Sequence, residues 1–188
     1  MRLRDTRPWA PAAIVLGSAV VAAAVALPGG SGSEHATTTP TYHLPAEKVR
    51  ESEAVPEGKT GRSADMLYTV IGFREGMTEV MGTHAAMESR GTFTRIRLLA
   101  VNAGRDIQVF DVWQQRLVIT GGKVLSPDVN ATMIKRQPER LSVGAAMRVE
   151  FDLWFDVPRG AKVGAVRLYG SPPVGAVSDP DPAEIALP

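Results

Sequence analysis

Between Ala146 and Val157 apolar residues recur at every second position, with Trp154 the one aromatic among the charged residues between them. Met147, Val149, Phe151, Leu153, Phe155 and Val157 fall on one side, and Arg148, Glu150, Asp152, Trp154 and Asp156 on the other. A period of two is the geometry of an extended strand with one buried face and one wet face. Shorter runs of the same kind recur at Met66 to Phe73, Thr92 to Asn102, Val109 to Thr120, Lys123 to Leu125 and Lys162 to Tyr169. Gly121-Gly122 reads as a two-residue hairpin turn, and Asn102 to Asp106 and Pro158-Arg159-Gly160 as further turns. Nothing of comparable length has helical periodicity, so the expected fold is all-β. The density of strands favours a two-sheet sandwich, which periodicity alone does not separate from a closed barrel.

The 188-residue chain has room for one such domain, expected over residues 64–177, because its first third reads differently. Arg2, Arg4 and Arg7 precede an uncharged, Ala- and Val-rich run from Ala10 to Leu27, the pattern of an export signal. A basic flank keeps the N-terminus in the cytoplasm, which places the C-terminal part of the chain outside. As a helix the run reaches only about 27 Å, slightly under a bilayer core of about 30 Å. Ala24-Val25-Ala26 fits signal cleavage near Ala26, giving a secreted protein. Trp9 at the interface position favours instead a retained single-pass helix with the C-terminal domain outside, and residues 1–27 are therefore expected to be a signal peptide or a transmembrane anchor. Residues 28–63 are rich in Pro, Gly, Ser, Thr and Glu and are expected to form a disordered linker, with residues 178–188 a disordered tail.

Charge and cysteine content exclude several functions. The formal net charge is +1 with both signs interspersed, so no nucleic-acid partner is expected. The absence of cysteine excludes disulfides, thiolate nucleophiles, thiolate zinc sites and a lipidated cysteine anchor.

Five segments then occur in a familiar order: Gly91-Thr92-Phe93, Val101-Asn102-Ala103-Gly104, Gln115-Arg116-Leu117 with its Gly-Gly hairpin, Leu141-Ser142-Val143-Gly144, and Phe155-Asp156-Val157-Pro158. Over roughly Ala64 to Tyr169 the chain resembles a family of exported bacterial, actinobacterial-type proteins grouped with an immunoprotective secreted mycobacterial antigen. The resemblance implies an immunoglobulin-like β-sandwich. It carries over no catalytic residue and no cofactor. The chain departs from the family in lacking a lipidated cysteine, and in having Val143-Gly144 where relatives often have Pro-Gly.

Candidate chemistry is sparse. A Ser/His/Asp group needs a histidine in the domain, and His84 alone qualifies, since His35 and His43 lie in the linker. No Gly-x-Ser-x-Gly elbow is present. Asp152 and Asp156 are expected on the solvated side beside Arg148. Arg95 and Arg97 are expected to make cross-strand ion pairs on a solvated face. One group stands apart: Met77, Met81, His84 and Met87 lie between Gly76 and Gly91, in what reads as a loop. Thioethers with an imidazole suit Cu(I), whereas the commoner use of methionine is to fill irregular apolar gaps. The functional expectation is a non-enzymatic, extracytoplasmic binding module for an unidentified envelope or extracellular protein or ligand. The alternative is extracytoplasmic Cu(I) handling by the Met/His group.

Overall fold

The computed structural model describes residues 48–56, 60–172 and 175–188. The expectations for residues 1–27 and for the linker up to residue 47 fall outside them. No helix among the described residues is long and apolar enough to cross a membrane.

The fold is mostly β. Antiparallel strands β1 (Thr60–Ser63), β2 (Met66–Met81), β3 (Ala86–Asn102) and β8 (Arg148–Val157) form one four-stranded sheet in the order β1-β2-β3-β8. Strands β5 (Arg116–Ile119), β6 (Val124–Leu125), β9 (Val163–Leu168) and β10 (Ala183–Ala186) form a second, in the order β10-β9-β5-β6. A ribbon of β4 (Gln108–Asp111) and β7 (Arg140–Val143) completes the strands. The helix α1 (Val129–Ile134) lies between β6 and β7 in the chain.

The alternation of β8 sets the core. Phe151, Leu153, Phe155 and Val157 are buried with Ile96 and Leu98 of β3, Tyr68 and Val70 of β2, and Leu117, Val166, Leu168 and Ile185 of the second sheet. One apolar core therefore receives side chains from both sheets. Phe110 of β4 stacks obliquely on Phe151 at 5.1 Å and on Tyr68 at 6.1 Å, geometries that suit the aromatic quadrupole. Burial pushes the Tyr68 hydroxyl well above its usual pKa, and it donates to the Tyr169 carbonyl at 2.8 Å. Gly121 and Gly122 both adopt positive φ (85° and 77°), as a tight turn between twisted strands requires, and join β5 to β6.

Several expectations are corrected. The tail is not frayed: Ala183 to Ala186 pair with β9, and Ala183, Ile185 and Leu187 are buried. The linker does not run to residue 63, because β1 pairs along β2 and Ala54 exchanges two backbone hydrogen bonds with Phe73 (2.7 and 2.8 Å) on the same strand. The domain thus extends beyond 64–177 at both ends. Val109 to Thr120 is two strands broken by a 3₁₀ turn at Val112–Gln114, where the Asp111 side chain accepts from Trp113 N. Met147 is exposed in the turn before β8, not in the core. Helix α1 is an addition to the expected elements, since six residues are too short to display a period. Asp128 caps it by accepting from Ala131 N at 2.8 Å.

Candidate functional site

The outer face of the first sheet is the one that alternation marks as wet, and it is largely covered. Three rows cross β2, β3 and β8 in register: Met77, Phe93 and Asp156; Arg74, Arg95 and Trp154; Gly72, Arg97 and Asp152. Each end of this face has its own cover.

At the apolar end Val80, Phe93 and Trp154 are buried with Ala131 of α1, and Met77, Met87 and Ile134 pack against them. At the polar end residues 48–56 lie over the sheet. Glu53 enters with its side chain fully buried, and Arg97 beneath it is only 2% exposed. Arg97 donates to Glu53 Oε2 (2.8 Å) and Oε1 (3.2 Å), to Glu150 Oε1 (3.0 Å) and to the Lys48 carbonyl (3.1 Å). Arg50 closes the network on Glu150 (2.9 Å) and Asp152 (2.8 Å). A Cβ at position 72 would lie 2.0 Å from the Glu53 carboxyl, so a glycine is what admits this acid to the sheet surface. Burial on its own would raise the Glu53 pKa. Hydrogen bonds from Arg97 and the Arg50 backbone N–H, with the charges of Arg97 and Arg95, outweigh it and hold the carboxyl below its ordinary value.

The middle row is where the two covers meet, and it forms a cleft of about 480 Å³ lined by Arg74, Met77, Glu79, Arg95, Lys135 and Trp154, among others. Arg74 and Arg95 stand directly opposite each other on neighbouring strands, an arrangement that is electrostatically unfavourable. Arg95 donates to Glu53 Oε1 at 3.1 Å, an oxygen it shares with Arg97. Arg74 has no ion pair among the described residues. Lys135, at the C-cap of α1, reaches in from above. The Arg95 guanidinium and Lys135 Nζ lie 5.8 and 5.7 Å from the centre of the Trp154 ring, within cation–π range. Trp154 is itself 3% exposed, and its Nε1–H, like Arg95 Nε–H, is a buried donor with no partner among the described residues. Three cations from three elements give this cleft the chemistry of an anion receptor.

The Met/His group does not lie together in one loop: Met77, Met81 and Met87 are on strands, and only His84 is in the turn between them. Its bounding glycines have other uses: Gly76, at φ 75°, sits at a bulge in β2, and Gly91 lies within β3 where a Cβ would meet the Val157 carbonyl at 2.1 Å. The strands run on to Met81 and Ala86. Met77 and Met87 pack in the apolar cluster, while Met81 is 59% exposed at the strand end and His84 is exposed in the turn. Two of the four are thus brought together, as filler, and the other two do not join them.

Other residues also fall elsewhere than expected. Arg97 is buried rather than solvated, and Asp152 is largely covered by its ion pair with Arg50. Asp156 accepts from the Gly91 and Arg90 N–H groups at 3.0 and 3.1 Å. Arg74, Lys135 and Trp154 are the cleft residues that the sequence did not single out. The available signal was Trp154, a large aromatic on a strand face otherwise made of charges.

No family model matches the chain, and no curated protein matches it. Among solved structures it is similar to the yjhA protein from Bacillus subtilis, at 14% identity over 62% of this chain and 82% of that one, with a TM-score of 0.46. It is also similar to a conserved hypothetical protein from Bacillus anthracis, at 11% identity over 72% of this chain and 99% of that one, with a TM-score of 0.44.

Proposed function

We propose that this chain is a non-enzymatic binding module working outside the cytoplasmic membrane, an immunoglobulin-like β-sandwich carried there by its basic-flanked apolar segment and held by it as an anchor. The observation that carries the reading is the Arg74 and Arg95 pair. Arg95 is engaged by Glu53, but Arg74 facing it has no ion pair among the described residues and stands beside a third cation, Lys135, an arrangement that serves a receptor for an acidic group on a partner. Trp154 supports the reading as the aromatic platform that keeps Arg95 and Lys135 over the cleft.

Crosslinking on intact cells with a membrane-impermeant reagent tests location and binding face together. The full chain is expected to join an envelope partner, and Arg74→Glu to lose most of that product without loss of expression. Failure of the wild type to react from outside would overturn the location. Equal yields from wild type and variant would overturn the binding face.

A further inference from the structure

We infer that the cleft over Trp154 is a phosphate site, taking the phosphate monoester of its ligand. The inference rests on the binding-module reading and narrows it to one chemical group. Arg74 from β2, Arg95 from β3 and Lys135 from the end of α1 approach the same cleft from three sides, against the single acid Glu79 in its lining. Glu53 is already engaged by Arg95 and Arg97, which leaves Glu79 alone in the lining against Arg74 and Lys135. Lys135 donates to the Met81 carbonyl at 3.1 Å, a neutral acceptor that holds the ammonium in place and leaves its charge unmatched.

Geometry separates phosphate from carboxylate. A carboxylate is planar, carries one charge and satisfies one guanidinium fork. A phosphate monoester carries about 1.5 to 2 negative charges at neutral pH and presents three terminal oxygens in different directions. Cationic donors placed on three sides suit the second shape. Because Arg95 and Lys135 occupy the approaches to the Trp154 ring, the indole acts as a positioning residue for the cations.

The test uses the full chain in phosphatidylcholine nanodiscs, with tryptophan indoles labelled by ¹⁵N. The Trp154 indole signal is expected to shift saturably on adding inorganic phosphate. The Trp113 indole, which donates to Glu139 at 3.3 Å, serves as a control that stays still. Acetate should be at least tenfold weaker, and Arg74→Ala should weaken phosphate at least tenfold while leaving the Trp113 signal unchanged. Two arms identify the source. A shift with glycerol 3-phosphate assigns a soluble phosphate ester, and a shift only when phosphatidic acid replaces part of the lipid assigns a headgroup. No saturable shift with any of the three phosphates, equal binding of acetate, or an Arg74→Ala titration identical to wild type would each overturn the phosphate assignment. Loss of envelope crosslinking with phosphate binding intact would sink the binding-module reading alone.

Discussion

Replacing Arg97 with methionine is expected to cost about 3–5 kcal/mol of stability, the range for removing one member of a buried ion pair. Few single changes at a polar residue should do more, since a whole domain is stable by only about 5–15 kcal/mol. The cause is local. Glu53, its side chain fully buried, would keep only Arg95 as a charged partner, and the Lys48 and Ile71 carbonyls would lose a donor. The coupling is testable by a double-mutant cycle in denaturant. Arg97→Met with Glu53→Leu should lose less than the sum of the two single losses, by about 0.5–3 kcal/mol. Simple additivity would mean that residues 48–56 do not hold the sheet through this pair.

The same pair fixes an acid dependence. A carboxylate whose folded pKa is depressed contributes stability above its unfolded value, here about 4.5, and loses that contribution as pH falls through the lower folded value. The difference in stability between wild type and Glu53→Gln should therefore be largest above that pH and shrink in acid.

Phe151→Ala is the second large effect, also expected at about 3–5 kcal/mol, because it empties the centre of the core beside Phe110. Its neighbour Asp152 faces the other way and accepts one ion pair from the half-exposed Arg50. Asp152→Ala should cost about 0.2–1 kcal/mol, as for ion pairs in contact with solvent. Melts in which Asp152→Ala is the costlier change would place the core on the wrong side of β8.

These two predictions mark what the sequence could and could not convey. Alternation in β8 assigned Phe151 and Asp152 to opposite faces, because a strand fixes direction two residues at a time. It could not say what would cover the outer face. One cover, Glu53, lies 44 residues from Arg97 in a stretch whose composition reads as linker. The other is a helix of six residues, shorter than any window in which a period becomes visible. Hence Arg97 read as solvated, and Trp154 as an aromatic left in water. The methionines misled for a related reason. Gly76 and Gly91 read as loop boundaries, but a bulge and a close strand crossing also require glycine, and only the pairing of Val80 with Met87 reveals which use applies. At the C-terminus the alternation of Ala183, Ile185 and Leu187 was present, but its four-residue length and the preceding Asp-Pro repeats hid it.

The site itself was legible only as unrelated parts, since Arg74, Arg95 and Trp154 become a row only once register is known. A residue kept for binding at a structural cost has a signature that a structural residue lacks: replacing it stabilises the free protein. The measurement is a urea unfolding curve of Arg74→Gln beside wild type in phosphate-free buffer. Relief of the charge pair across β2 and β3 predicts a higher midpoint at unchanged slope, by about 0.2–1 kcal/mol. A lower midpoint would show that Arg74 supports the fold, and would contradict its assignment to a binding site.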